Sequence, residues 1–234
     1  MKTLITIILI LSLFIPTILI AATINPTLIW SSQTLTPIDY KGRALPTKGS
    51  VITVNALLKN NKLTKTNYTY NWYLDNTFKK NLSGLNKNTF EFTASKSPNL
   101  THKVQLQLQG QTSILATKTI NIPITSPKII LFNDYNNDLL SNLISLGPGM
   151  DIMIKAMPYF FNASSKDELN YEWKLGGKST SSSQTKDSNI LKLSIGDGFV
   201  QNVLSKTFEV IVNQPQGVSE EASKSIRINI INSK

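Results

Sequence analysis

The chain repeats itself. Pro26-Thr27-Leu28-Ile29 finds a counterpart in Pro127-Lys128-Ile129-Ile130, and Tyr70-Asn71-Trp72 in Tyr171-Glu172-Trp173, both at a spacing of 101 residues. Gly49 with Ile52, Val54 and Ala56 matches Gly149 with Ile152, Ile154 and Ala156 at a spacing of 100. Asn88-Thr89-Phe90 answers to Asn189-Ile190-Leu191, and Lys118 to Ile122 answers to Lys224 to Ile228 at a wider spacing. Such drift is expected where loops change length while strands persist. Five matches in one order define a unit that is used twice, with its boundary near residue 125.

Within each unit the helical period is missing. Short alternating segments rich in Val, Ile, Thr and aromatic residues recur between turn residues, which is the pattern of β-strands with one face in a core. Val51 to Val54, Tyr68 to Leu74, Phe90 to Phe92, Val104 to Leu108 and Thr119 to Ile122 read in this way. Val104 to Leu108 sets three aliphatic side chains on one face and two glutamines on the other. Roughly seven short strands in about 100 residues, with a tryptophan in the middle, predict an all-β fold of two tandem immunoglobulin-like sandwiches. The expected domains are residues 25–125 and 126–234, with Trp72 and Trp173 filling the space between the sheets.

Tyr70-Asn71-Trp72-Tyr73-Leu74-Asp75 with Thr101 to Leu106, and Tyr171 to Gly177 with Thr207 to Val212, resemble the central and late strands of PKD-type and related bacterial Ig-like domains. The resemblance implies extracellular sandwich modules, often in tandem, that act as spacers or adhesive units. The glycine-aspartate-glycine turn usual after the tryptophan strand in that family is absent from both units.

Ahead of the repeats, Leu4 to Ala22 is apolar except for Thr6, Ser12, Pro16 and Thr17, follows Lys2, and ends at Ala21-Ala22. Residues 1–22 are therefore expected to be a signal peptide cleaved after Ala22, or a retained membrane anchor helix, since 19 residues approach the bilayer's hydrocarbon thickness. Either reading places the rest of the chain outside the cytoplasm, secreted or anchored at the cell surface.

Absent residue types narrow the chemistry. There is no cysteine, which excludes disulfides, thiolate metal sites and cysteine nucleophiles. The single histidine, His102, leaves little for zinc or triad chemistry, and it is read as an exposed or half-buried strand residue. Asp134-Tyr135-Asn136-Asn137-Asp138 begins with the spacing of a calcium loop, but Leu139 stands where glycine is needed and Ser145 where an acid is needed, so a turn is expected. No catalytic residue, metal or cofactor is expected.

The net charge of +10 is unevenly placed. Thr23 to Thr125 holds twelve basic and three acidic residues, whereas Ser126 to Lys234 holds eleven of each. Lysines attract polyanions without selecting among them, so Lys59, Lys62, Lys65, Lys79 and Lys80 are the candidate contacts to an anionic envelope polymer or membrane surface. Other surface proteins are further expected partners, and no sequence-specific nucleic-acid contact is expected. The alternative function is an extracytoplasmic carbohydrate- or ligand-binding protein using loop aromatics Tyr40, Tyr135, Tyr159, Phe160 and Phe161. Exposure of the last three favours a ligand, and their burial favours a spacer.

Overall fold

Alternation in the sequence becomes strand in the structure. The computed structural model describes residues 24–58, 67–180, 187–197 and 204–231. The expected leader, residues 1–22, and three of the candidate lysines, Lys59, Lys62 and Lys65, lie outside the described residues. The first half forms β1 (Pro26–Ser32), β2 (Val51–Leu58), β3 (Thr69–Leu74), β4 (Thr77–Phe78), β5 (Gly84–Leu85), β6 (Thr89–Thr93), β7 (Thr101–Gln109) and β8 (Ile114–Pro123). The second half forms β9 (Lys128–Asn133), β10 (Leu143–Leu146), β11 (Asp151–Tyr159), β12 (Asn170–Leu175), β13 (Lys178–Thr180), β14 (Ile190–Ser194), β15 (Leu204–Gln214) and β16 (Glu220–Ile230).

Sheet order is the same in both halves. Strands β1-β2-β6 face β4-β3-β7-β8, and β9-β11-β14 face β13-β12-β15-β16. In each half the inward residues of the two sheets join one buried cluster, Leu28 to Ile124 in the first and Ile129 to Ile228 in the second. A three-stranded sheet packed on a four-stranded one through a single apolar layer is an immunoglobulin-like β-sandwich. The halves differ at their margins. Strand β5 is added beside β3, and β10 is added parallel to β16.

The tryptophans occupy equivalent places. Trp72 lies on β3 opposite Leu106 of β7, and Trp173 on β12 opposite Val210 of β15. Both are buried, and each indole N–H donates to a carbonyl fifteen residues onward: Lys87 O at 2.9 Å and Ser188 O at 3.0 Å. A buried indole N–H without a partner would be costly, so these two bonds allow the largest side chain to sit at the centre. Phe90 stacks on Trp72 at 5.3 Å between centroids, while Phe208, from a different strand, tilts against Trp173 at 5.4 Å. The plug is retained and its aromatic neighbour is exchanged.

Truncating either tryptophan removes this wedge in a chain with no cystine to hold its sheets together. Trp72→Ala and Trp173→Ala are each expected to lose about 3–5 kcal/mol in chemical denaturation, the range for large buried aromatics.

Candidate functional site

His102 is fully buried, which corrects the expectation of an exposed or half-buried residue. It shares the inward face of β7 with Val104, Leu106 and Leu108, the face that the two-residue period assigns to it. Its Nε2 accepts from the Ser95 and Lys96 amides at 3.2 and 3.4 Å, and its Nδ1 lies 2.7 Å from Asp75 Oδ2. The amides place the proton on Nδ1, pointing at the carboxylate. Both ring nitrogens are therefore occupied, and no base is left for a nucleophile. The group ties the β3–β4 turn to the β6–β7 connection.

Asp75 sits in that turn at positive φ, followed by Asn76, where the second half has Gly176-Gly177. Burial by itself would raise the Asp75 carboxyl. Hydrogen bonds from Lys96 Nζ, the Lys103 amide and His102 outweigh this and lower it to about 2.

The candidate lysines do not form a pocket. Lys79 is half-buried, Lys80 is exposed in the 3₁₀ turn Lys80–Leu82, and neighbouring Lys87 donates its ammonium to Asn81 O at 2.7 Å. The Asp134–Asp138 segment is a turn closed on itself, with Asn136 Oδ1 accepting from the Asp138 amide and Asp134 paired to Lys155 at 3.0 Å. Among the described residues no group of three or more His, Cys, Asp or Glu side chains could hold a metal ion.

The loop aromatics converge, but mostly on one another. Phe161 is wholly buried, Phe160 is 5% exposed, and Tyr159 is half-buried. Tyr40 packs edge-on against Tyr159 at 5.6 Å and Phe160 at 5.8 Å. Tyr135 alone of the five is well exposed. The side chains expected to present a ligand-binding surface instead join the two sheet pairs.

That junction is held by a connected set of hydrogen bonds. Residues 33–50, between β1 and β2, leave the first sheet pair and reach the second. The Leu35 amide donates to Phe161 O at 2.8 Å, and the Phe160 amide donates to Leu35 O at 2.6 Å, while the Leu35 side chain packs against the second core. Phe160 holds φ of 64°, a strained value for a bulky residue, which turns Tyr159 and Phe161 to opposite sides of the chain. Gly49, at φ of 94°, leaves room that a Cβ would lose, since the Cβ would lie 2.7 Å from Val218 Cγ2.

Asn162 binds this assembly together. Its side chain donates to Gly49 O at 3.2 Å, its amide to Glu220 Oε2 at 2.6 Å, and its carbonyl accepts from Gln214 Nε2 at 3.1 Å. Glu220 is buried and Oε1 has no hydrogen-bond partner. Burial raises its carboxyl, against the opposing help of the Asn162 amide. Beside it runs an open polar cleft of about 640 Å³ lined by Gln33, Thr34, Asn162, Ser164 and Gln216. A second hollow of about 600 Å³ has an apolar floor of Pro37, Met157, Pro158 and Ile190. Neither brings a nucleophile together with a free base.

No family model and no curated protein matches this chain. Among solved structures it is similar to the three N-terminal domains of the bacteriophage RB49 highly immunogenic outer capsid protein Hoc, at 16% identity and a TM-score of 0.43, covering 88% of this chain and 59% of that one. It is similar also to fibronectin(III)-like modules of Clostridium thermocellum CbhA, at 12% identity and a TM-score of 0.30, covering 87% and 95%. The N-terminal Ig1-2 module of Drosophila receptor protein tyrosine phosphatase DLAR follows at 9% identity and 0.28, covering 88% and 98%.

Two expectations follow for pH. A carboxyl lowered on folding contributes stability that is full above its unfolded value and is lost as pH falls through the folded one. Asp75 should thus contribute about 1–2 kcal/mol near neutrality, after allowance for its partial exposure, and lose it between about pH 4 and pH 2. Asp75→Asn is expected to flatten the acid limb of the unfolding curve. Glu220 has the opposite sign: its raised carboxyl makes the junction most stable in acid, with loss as pH rises through the raised value. Glu220→Gln keeps an acceptor for the Asn162 amide and removes the buried charge. Its Tm is expected to exceed the parent's at about pH 8 and to match it at about pH 4.

Proposed function

We propose that this chain is an exported, non-catalytic pair of PKD-like sandwich domains, residues 25–125 and 126–234, that serves as a stiff spacer and adhesive module on the outer face of a cell envelope. The observation that carries this reading is the junction. Ile124 belongs to the first core and Ile129 to the second, so only residues 125–128 lie between them. The Leu35, Gly49 and Asn162 contacts then bridge the same gap. A short link with a second, hydrogen-bonded crossing resists the hinge motion that is otherwise the default between domains.

Topology supports the same use. Strand β1 runs toward the junction from the remote pole of the first domain, and β16 runs from the junction to the remote pole of the second. Chain entering at one pole and leaving at the other spans the full length of the pair. The basic first domain adds a long-range field that draws the module to anionic polymer or membrane, with Lys59, Lys62, Lys65, Lys79 and Lys80 as its proposed contributors; this attraction requires no pocket and is weakened by salt. Among the described residues no helix is long and apolar enough to cross a membrane. The apolar run Leu4–Ala22 is the segment to which we assign attachment if it is retained, and release if it is cleaved.

Gly49→Ala combined with Tyr40→Ala should open the junction, since one introduces a Cβ against Val218 and the other removes the ring on Tyr159 and Phe160. Small-angle scattering is expected to show a single elongated particle for the parent and a broadened distance distribution for the double variant, with both cores still folded. A parent already as broad as the variant would remove the rigid-spacer reading.

A further inference from the structure

The two domains present their four-stranded sheets outward in different ways. Across Thr69 to Tyr73 on β3, Gln105 to Gln109 on β7 and Thr117 to Asn121 on β8, every outward position is uncharged. The strand register identifies the same positions in the second domain, where they include Glu172, Lys174, Glu209 and Arg227. The second domain therefore shows an ordinary solvated face with a Lys174–Glu172 ion pair at 3.4 Å. The first does not, although it holds four times as many basic as acidic residues.

What replaces charge on this face is a set of amides beside aromatic rings. Asn71 Nδ2 donates to Gln109 Oε1 at 3.2 Å, and the Tyr73 hydroxyl donates to Gln107 Oε1 at 3.1 Å. These bonds hold the amides in place before any ligand arrives, which lowers the ordering cost of binding. At the β4 edge, Tyr73 and Phe78 lie 5.3 Å apart between centroids, and Phe78 is 45% exposed. At the junction end, Lys103 turns aside to Asn76 Oδ1 at 3.2 Å.

Amide donors and acceptors held on a sheet face match the hydroxyls of a sugar, and an aromatic ring at the edge matches the apolar face of a pyranose. No cation stands at these outward positions: Lys103, the next one along β7, is bonded to Asn76, and Lys118 of β8 takes the opposite parity. The area also argues against a second protein: four strands about 4.8 Å apart and five residues of about 3.3 Å give on the order of 300 Å², well below the roughly 800 Å² per partner of a stable protein–protein contact. We infer that the outer β4-β3-β7-β8 face of the first domain binds a neutral polysaccharide, with Tyr73 and Phe78 stacking on a sugar ring and Asn71, Gln105 and Gln107 hydrogen-bonding its hydroxyls. The inference rests on the surface-module reading and adds a neutral ligand, held on a sheet face, to the anionic attraction of the basic domain. It also moves carbohydrate recognition from the loop aromatics, which the junction uses, to a sheet face.

The test uses the full chain, incubated with cellulose, chitin, immobilised β-1,3-glucan and mannan at about 0.05 and 0.5 M salt, with depletion from solution as the readout. At least one neutral polymer is expected to retain the protein equally at both salts. Tyr73→Ala, and separately Gln105→Glu with Gln107→Glu, should weaken that retention about tenfold while tryptophan fluorescence and Tm show the fold intact. Glu172→Gln with Glu209→Gln on the second domain should leave it unchanged. The inference is overturned if no neutral polymer retains the chain, if retention disappears at high salt, or if the face variants bind like the parent. Self-association that the face variants abolish, without polymer retention, would assign the face to a second copy and also overturn it. A failure of the spacer reading appears in scattering and leaves this assay unaffected.

Discussion

Each sandwich depends on one buried indole whose N–H finds a backbone carbonyl. With no disulfide between the sheets, apolar packing must set their separation, and the largest side chain sets it best. The bonds to Lys87 O and Ser188 O do more than satisfy a donor. They pull the segment leading into β6 or β14 over the core, where Asn88 O and Asn189 O then accept from the Ala56 and Ala156 amides at 2.8 Å. Ring, connection and facing sheet are thereby fixed together in both domains.

The junction follows from a departure between otherwise matching halves. After β9 the chain returns to its own domain as β10, parallel to β16. After β1 the corresponding stretch crosses over, and Leu35 exchanges two backbone hydrogen bonds with Phe160 and Phe161. The strained φ of Phe160 is sustained because Phe161 is buried on one side while Tyr40 covers Phe160 on the other. Glu220 introduces a cost at the same place, a carboxylate held away from water with no cation beside it. The buried carboxyl makes the junction sensitive to protons.

Function then divides between the halves. The first carries the basic charge, the amide-rich outer face and the crossing loop; the second carries a balanced surface and receives the crossing. In the proposed function, the pair separates what lies at its poles while the first domain engages the surrounding polymer. The Asp75–His102 pair, whose residue types are those of enzyme chemistry, is closed by two backbone amides and serves the fold.

Much of this was legible in the residues themselves. The period of two placed Val104, Leu106 and Leu108 inward and the glutamines between them outward, and the repeat paired Trp72 with Trp173, because strand parity and internal duplication are local properties of a sequence. Parity extended by one step would also have placed His102 inside, since it shares the face of Val104. Other features depended on contacts between distant segments. That Tyr159, Phe160 and Phe161 are covered follows from a loop some 120 residues earlier in the chain, and no local pattern records which segment crosses a gap between domains. The alternative reading, which needed exposed aromatics at Tyr159, Phe160 and Phe161, loses them for that reason. The sequence by itself determined the strands, the two cores and the outward faces, because side-chain alternation and burial act within a few residues. Only the tertiary structure decided where the β1–β2 loop docks, that Glu220 is buried and that Asp75 holds His102, because those outcomes depend on the register and closeness of elements far apart along the chain.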